Sequence, residues 1–180
     1  MMKTKEIITK RKIEALASEY EITDTVLKAI YSQNKNDREP MVFISHSILD
    51  IDFVKKVLLF LYYSKGVSGY VDWQDPDIPI ETNAETAWKI KKRIDKAKKM
   101  IYVVTYESLK SVWCSWEVGY ADKAKGQDNI AILSIKPNNG RWKRNVFIEQ
   151  YPSISYDDKK KLFYVKKLDG HKVTLYDWLQ

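Results

Sequence analysis

The chain has 180 residues, with 31 lysines and arginines against 24 acidic residues and a formal net charge of +7. That length can bury a core without covalent staples, and 44% apolar residues, with six Trp, twelve Tyr and five Phe, exclude a disordered chain. One cysteine and two histidines exclude an internal disulfide and a structural zinc site, and point to a reducing cytoplasm. No run approaches the roughly 18 apolar residues of a membrane span, and the N-terminus lacks a signal-peptide core, so a soluble, unexported chain is expected. Lysines alternate with acids along the whole length, as on a solvated surface. Lys159-Lys160-Lys161 and Lys166-Lys167 come without a nucleic-acid motif, so no specific nucleic-acid partner is expected.

Residues 3 to about 35 carry apolar side chains at helical spacing (Ile7, Ile8, Ile13, Leu16, Ala17, then Val26, Leu27, Ile30), with a break at Ile22-Thr23-Asp24 where Thr23 or Asp24 could cap a second helix. The polar run Ser32 to Pro40 reads as a linker. The chain is accordingly divided into an N-terminal helical extension, 1–39, and a main domain, 40–180. Met41 to Ser45 is a short continuous apolar run, suited to a strand covered on both faces. Asp50 to Lys65 is a helix, with Asp50 as its N-cap and Asp52 as a first-turn acid. Gly69 to Asp72 is a second strand, followed by a proline-containing loop from Trp73 to Asn83 in which Asp75 and Asp77 are turn residues. Ala84 to Lys99 is a basic amphipathic helix, Met100 to Thr105 a third strand, Ser108 to Lys125 a third helix, Ile130 to Ile135 a fourth strand and Tyr151 to Tyr156 a fifth. Gly170 sits in the turn of a C-terminal hairpin, and Tyr176-Asp-Trp-Leu179 packs back on the domain.

Strands alternating with helices predict an α/β domain with a doubly wound parallel sheet, and the arrangement expected for it is flavodoxin-like, with strand order 2-1-3-4-5. Such sheets take ligands beyond the carboxyl ends of their strands, where the strand order reverses. That point lies between strands one and three, with Ser45-His46-Ser47 on one side and Thr105-Tyr106-Glu107 on the other. The helix that follows opens Ser111-Val-Trp-Cys-Ser-Trp-Glu-Val-Gly-Tyr-Ala121, in which Glu117 stands among indole rings. Trp113 and Glu117 are one helical turn apart and share a face.

These segments together resemble the Toll/interleukin-1 receptor (TIR) domain family. Phe43-Ile44-Ser45-His46-Ser47 is similar to the family's first strand and loop, Gly69-Tyr-Val-Asp72-Trp73 to its second strand, and Ser111-x-Trp113-Cys114-x-x-Glu117 to its third-helix signature, in order, over roughly residues 40 to 156. Val71-Asp-Trp-Gln-Asp75, the Trp-Cys-x-Trp-Glu-x-Gly-Tyr-Ala-Asp122 run and Tyr176-Asp-Trp-Leu179 look most like stand-alone bacterial TIR proteins of Thoeris-type anti-phage defence. The resemblance implies an enzyme that cleaves the nicotinamide–ribose bond of NAD, as a glycohydrolase or ADP-ribosyl cyclase, yielding an ADP-ribose-type messenger for a downstream effector. It implies NAD as substrate and no resident cofactor, self-association through TIR–TIR contacts, Glu117 as catalytic residue, and Ser45, His46, Ser47, Asp72, Trp73 and Trp113 as substrate-binding residues. The better-known animal enzyme of the family carries basic residues after its first strand, where this chain has His46 and Ser47.

The chemistry suits the residues. Nicotinamide leaves NAD as a neutral molecule, so the positive charge appearing on the ribose is what needs stabilising, and one carboxylate in a dry site can do that. A positive protein field would also draw in a dinucleotide. A plainer role for Glu117 is a helix-face carboxylate near the positive end of its dipole. His46 could handle a proton, bind phosphate or simply hydrogen-bond, and Cys114 reads as a buried, inert thiol. The chain has no Gly-x-Gly-x-x-Gly and no P-loop, which disfavours hydride transfer. Two rival readings are a non-catalytic adaptor that self-associates through the Trp73–Asn83 loop, and a nucleoside deoxyribosyltransferase-like enzyme.

Overall fold

The computed structural model describes residues 7–20, 42–65, 69–75, 83–138 and 145–180, together with Gly140 and single positions between 23 and 30. In chain order the elements are β1 (Ile8–Thr9), α1 (Lys10–Ala17), β2 (Val42–Ser45), α2 (Ile51–Lys65), β3 (Gly69–Tyr70), α3 (Ala84–Lys96), β4 (Lys99–Val104), α4 (Val112–Lys125), β5 (Ile130–Lys136), α5 (Val146–Glu149), β6 (Ser153–Asp157), β7 (Leu162–Lys166), β8 (Lys172–Thr174) and α6 (Leu175–Leu179). The strands form one sheet ordered β3-β2-β4-β5-β6-β7-β8, parallel from β3 to β6 and antiparallel through β7 and β8. In the numbering of the predicted strands this is 2-1-3-4-5 with the hairpin continuing the sheet.

Side-chain alternation along the central strands sorts the core into two layers. Val42, Ile44, Ile101, Val103, Ala131 and Leu133 face a layer with α1, α2 and α6. Phe43, Met100, Tyr102, Val104, Ile130 and Ile132 face the opposite layer, with α3 and α4. Both faces are covered, which is why these strands read as unbroken apolar runs. Each fully buried branched or aromatic side chain here contributes roughly 1.5–3 kcal/mol.

The N-terminal segment departs from the all-helical expectation. Ile8 and Thr9 are extended and pair in parallel with Ile135 and Lys136. Thr9 then caps α1 by accepting from the Lys12 amide at 3.1 Å, and the helix stops at Ala17. Two isoleucines followed by threonine suit an edge strand better than a helical turn, and Ile8, Ile13 and Leu16 join the main core. Thr23 accepts from the Val26 amide at 3.2 Å, the capping role anticipated for it; Asp24 and the run Ser32 to Pro40 lie outside the described residues.

At the other end, Gly170 adopts φ +90° in the turn between β7 and β8, a backbone conformation that favours glycine. Leu175, Trp178 and Leu179 of α6 are buried, and the Trp178 indole donates to the Asp128 carbonyl at 2.9 Å. Among the described residues no helix is long and apolar enough to cross a membrane.

Candidate active site at the strand-order reversal

The chain leaves β2 for β3 on one side and returns to β4 on the other, so the C-terminal ends of β2 and β4 flank the reversal point. Ser45 is the last residue of β2 and lies in register with Tyr102 of β4. The α4 helix reaches the same level because a short 3-10 turn, Ser108–Lys110, follows β4 and Ser111 then caps α4, accepting from the Cys114 amide at 3.2 Å.

Glu117 lies on the inner side of α4, only 5% exposed. The Ser45 hydroxyl donates to its Oε2 at 2.5 Å, across 72 residues of sequence. Burial is the main influence on this carboxyl and pushes its pKa up to about 8; the Ser45 hydrogen bond opposes the shift and the negative charge of Asp72 adds to it. A carboxyl in that condition gains and loses its proton near neutrality. Cys114, one turn earlier, is buried beside Ser45 and Glu117, and burial raises its thiol to about 11, so it is an inert neighbour.

The loop after β2 supplies the next wall. The His46 Nδ1 lies 3.0 Å from the Ile44 carbonyl oxygen, which can only accept, so Nδ1 carries a proton. Its Nε2 faces Asp72 Oδ1 at 3.6 Å, and its ring meets Trp73 edge-on with centroids 4.5 Å apart. Asp72 and Trp73 occupy a 3-10 turn, Asp72–Gln74, and Asp72 Oδ1 accepts from the Trp73 amide at 2.9 Å. The His46 ring is almost fully buried here, and the more exposed Asp72 carboxylate offers an acceptor to a hydroxyl or amide of a bound molecule.

Asp75 behaves differently from the turn residue expected of it. It is buried, accepts from the Tyr70 hydroxyl at 2.8 Å and pairs with Arg93 Nε at 2.7 Å. This anchor ties the Asp72–Gln74 turn to β3 and α3. Asp77, and the part of the proline-containing loop from 76 to 82, lie outside the described residues.

Other expected residues are more dispersed. Ser47 is buried, and its hydroxyl accepts from the Leu49 amide at 3.3 Å. It caps the 3-10 turn Ile48–Asp50 ahead of α2, the role the sequence pattern suggests for Asp50. Asp50 is instead bonded across the reversal point, taking the Thr105 hydroxyl at 2.5 Å. Asp52 does sit in the first turn of α2, paired with Lys55 at 3.1 Å. Trp113 is half-buried and meets Trp116 edge-on, centroids 5.2 Å apart, in the layer between α4 and the sheet. The aromatic ring against the β2 loop is Trp73. Tyr106 is exposed beneath the Lys110 ammonium, and Glu107 also bonds Lys110.

Sequence reasoning did not foresee the Asp50–Thr105 bond or the Asp75–Arg93 pair. Each joins residues far apart in the chain, and no local pattern marks them. Among the described residues no group of acids, histidines and cysteine is arranged to hold a metal ion.

Known proteins share this chain's sequence pattern. The chain is 25% identical over 173 residues to a Bacillus cereus (strain MSX-D12) protein named "Probable 3' cyclic ADP-D-ribose synthase ThsB'", covering 91% of this chain and 87% of that one. It is 32% identical over 134 residues to a Cytobacillus dafuensis protein named, with similar reservation, cyclic ADP-D-ribose synthase TIR2; that match covers 65% of this chain and 35% of the relative, so the chain spans about a third of that relative's length. A crystal structure of the TIR domain of the Toll-related receptor TRR-2 from Hydra magnipapillata is 20% identical, covers 66% of this chain and 86% of its own, and superposes with a TM-score of 0.45. The TIR domain family model matches residues 42–163, from the first residue of β2 into β7 and including the Ser45–Glu117 pair. The chain belongs to the TIR domain family.

Proposed function

We propose that this protein consumes NAD, breaking the bond between nicotinamide and ribose and closing the ADP-ribose product into a cyclic signal molecule of the kind named for its two relatives. The observation that carries the reading is the buried Glu117 carboxyl, bonded by Ser45 at the sheet's reversal point.

Cleavage of the C1′–N bond sends its electron pair to the nicotinamide ring, which departs neutral, and leaves positive charge on the ribose. Glu117 acts as an anion at that moment, held by Ser45 and shielded from water, where its field is strongest. Before substrate binds, the carboxyl keeps a proton into the neutral range. A cationic nicotinamide riboside beside it favours the ionised form, so substrate binding releases that proton. Asp72 accepts from hydroxyl or amide groups of the substrate, and Trp73 holds His46 in place beside it. After cleavage, a nucleophile of the same molecule within reach of C1′ competes with water, and proximity decides for the ring-closed product.

Purified protein, assayed at high concentration so that any self-association is satisfied, should release nicotinamide from NAD and yield a product with the mass of cyclic ADP-ribose. Glu117→Ala should lower the rate by about a hundredfold or more. Undiminished turnover in that variant overturns the reading of Glu117. Concentration-dependent association with no turnover in the unsubstituted protein would instead identify an adaptor.

A further inference from the structure

Asp50 is an acid at the strand-order reversal without the capping duty its position suggests. Ser47 caps the turn that Asp50 ends, which leaves the carboxylate for another use. Its Oδ2 takes the Thr105 hydroxyl at 2.5 Å. Thr105 is in turn locked: its Oγ1 accepts from the Ser108 amide at 3.0 Å, and its own amide donates to the buried Ser108 hydroxyl at 2.8 Å. The threonine proton therefore has one direction to point, and it fixes the carboxylate across the gap between the β2 loop and the end of β4.

Two further observations put Asp50 and Glu117 at the same end of the sheet. Tyr102 is in register with Ser45, and Thr105 lies three residues beyond it, so the Asp50–Thr105 bond sits roughly 10 Å past the Ser45 level along the strand direction. The Tyr102 hydroxyl, which donates to the Ser108 carbonyl at 2.8 Å, feels the negative charge of both Glu117 and Asp50. Asp50 is half-buried, and its hydrogen bond to Thr105 uses Oδ2, so Oδ1 can face a ligand.

A carboxylate fixed that far along the strand direction from the Ser45–Glu117 pair selects by chemistry. It accepts from the hydroxyls of a second ribose, and it repels a phosphate placed on one of them. We propose that Asp50, aimed by Thr105, reads the free diol of the adenosine ribose and makes the site prefer NAD over its 2′-phosphorylated form, NADP. This rests on the dinucleotide reading of the site and adds its specificity.

The test has a catalytic arm and a binding arm. In the first, kcat/KM for nicotinamide release is measured with NAD and NADP for the unsubstituted protein, Asp50→Asn and Thr105→Val. Asp50→Asn keeps an acceptor for Thr105 and removes only the charge, so the NAD/NADP ratio should fall by roughly tenfold or more, between the bulk-water and protein-surface limits of a like-charge contact. Thr105→Val frees the carboxylate and should lower kcat/KM for NAD with a smaller change in the ratio. A ratio unmoved by Asp50→Asn overturns the proposal.

The binding arm uses Glu117→Gln, whose turnover should be about a hundredfold slower or more, and reads the thermal shift given by each dinucleotide. NAD should raise the melting temperature more than NADP, and adding Asp50→Asn should erase the difference. Equal shifts before that substitution, or none with either dinucleotide, overturn the proposal. Selective binding by a protein that releases no nicotinamide would sink the catalytic reading alone and leave the role of Asp50 standing.

Discussion

Replacing Glu117 by glutamine should make the protein's stability less dependent on pH, in a direction and amount the site geometry sets. The carboxyl is 5% exposed and titrates near 8 in the folded chain, against an ordinary value of 4.5. The folded state therefore holds a proton that the unfolded state has released over the range between those values. Where the folded state binds more protons, stability falls as pH rises. The Glu117 contribution is intact below about pH 4.5 and lost progressively up to about pH 8. Over the interval from pH 5 to pH 9 the loss amounts to about 4 kcal/mol, most of it complete by pH 8.

The amide that Glu117→Gln introduces does not titrate, so that loss disappears in the variant. Any fixed cost of burying the amide cancels when the two pH profiles are compared. Urea unfolding of both proteins at constant ionic strength, at several pH values from 5 to 9, measures the difference directly. The variant should gain about 4 kcal/mol relative to the unsubstituted protein across that range, while its nicotinamide release falls by about a hundredfold or more. Profiles that run parallel within about 1 kcal/mol would show that the carboxyl is solvated, and a desolvated catalytic anion would be refuted with them.

Three other outcomes follow from the same contacts. For the unsubstituted protein, kcat/KM with NAD should rise with pH through about 8, since the free enzyme must lose the Glu117 proton; a profile flat from pH 6 to 9 contradicts this. Ser45→Ala removes the donor that favours the ionised carboxyl, so the rise should move to higher pH and the rate at pH 7 should drop by roughly tenfold; an unshifted profile would deny Ser45 that role. Arg93→Met leaves the buried Asp75 carboxylate without its guanidinium and should cost about 2–4 kcal/mol in urea unfolding; a loss below about 0.5 kcal/mol would mean that the pair does not anchor the Asp72–Gln74 turn.

Much of this molecule is legible in its sequence. The alternation of apolar runs with helical periods determined the parallel sheet and its two covered faces, because strands buried on both sides exclude unpaired polar side chains. Alternation alone leaves the strand order open, and the order expected for the five parallel strands is the observed β3-β2-β4-β5-β6, which sets the reversal point between β2 and β4. The placing of Glu117 near Ser45 was also within reach, since Ser45 ends its strand and the helix that carries Glu117 in its second turn starts beside the reversal point.

What the tertiary structure alone decided is the set of partners that act through space. Ile8 and Thr9 read as helix until Ile135 and Lys136 offered them a strand to pair with. Asp50 read as a cap until Ser47 took that place and Thr105 came within reach of its carboxylate. Asp75 read as a turn residue until Arg93 and Tyr70 closed on it. A local pattern carries the periodicity of burial, but the partner of a polar side chain depends on which distant atom the packed chain brings within about 3 Å, and on the cost of leaving either group unpaired in a dry interior.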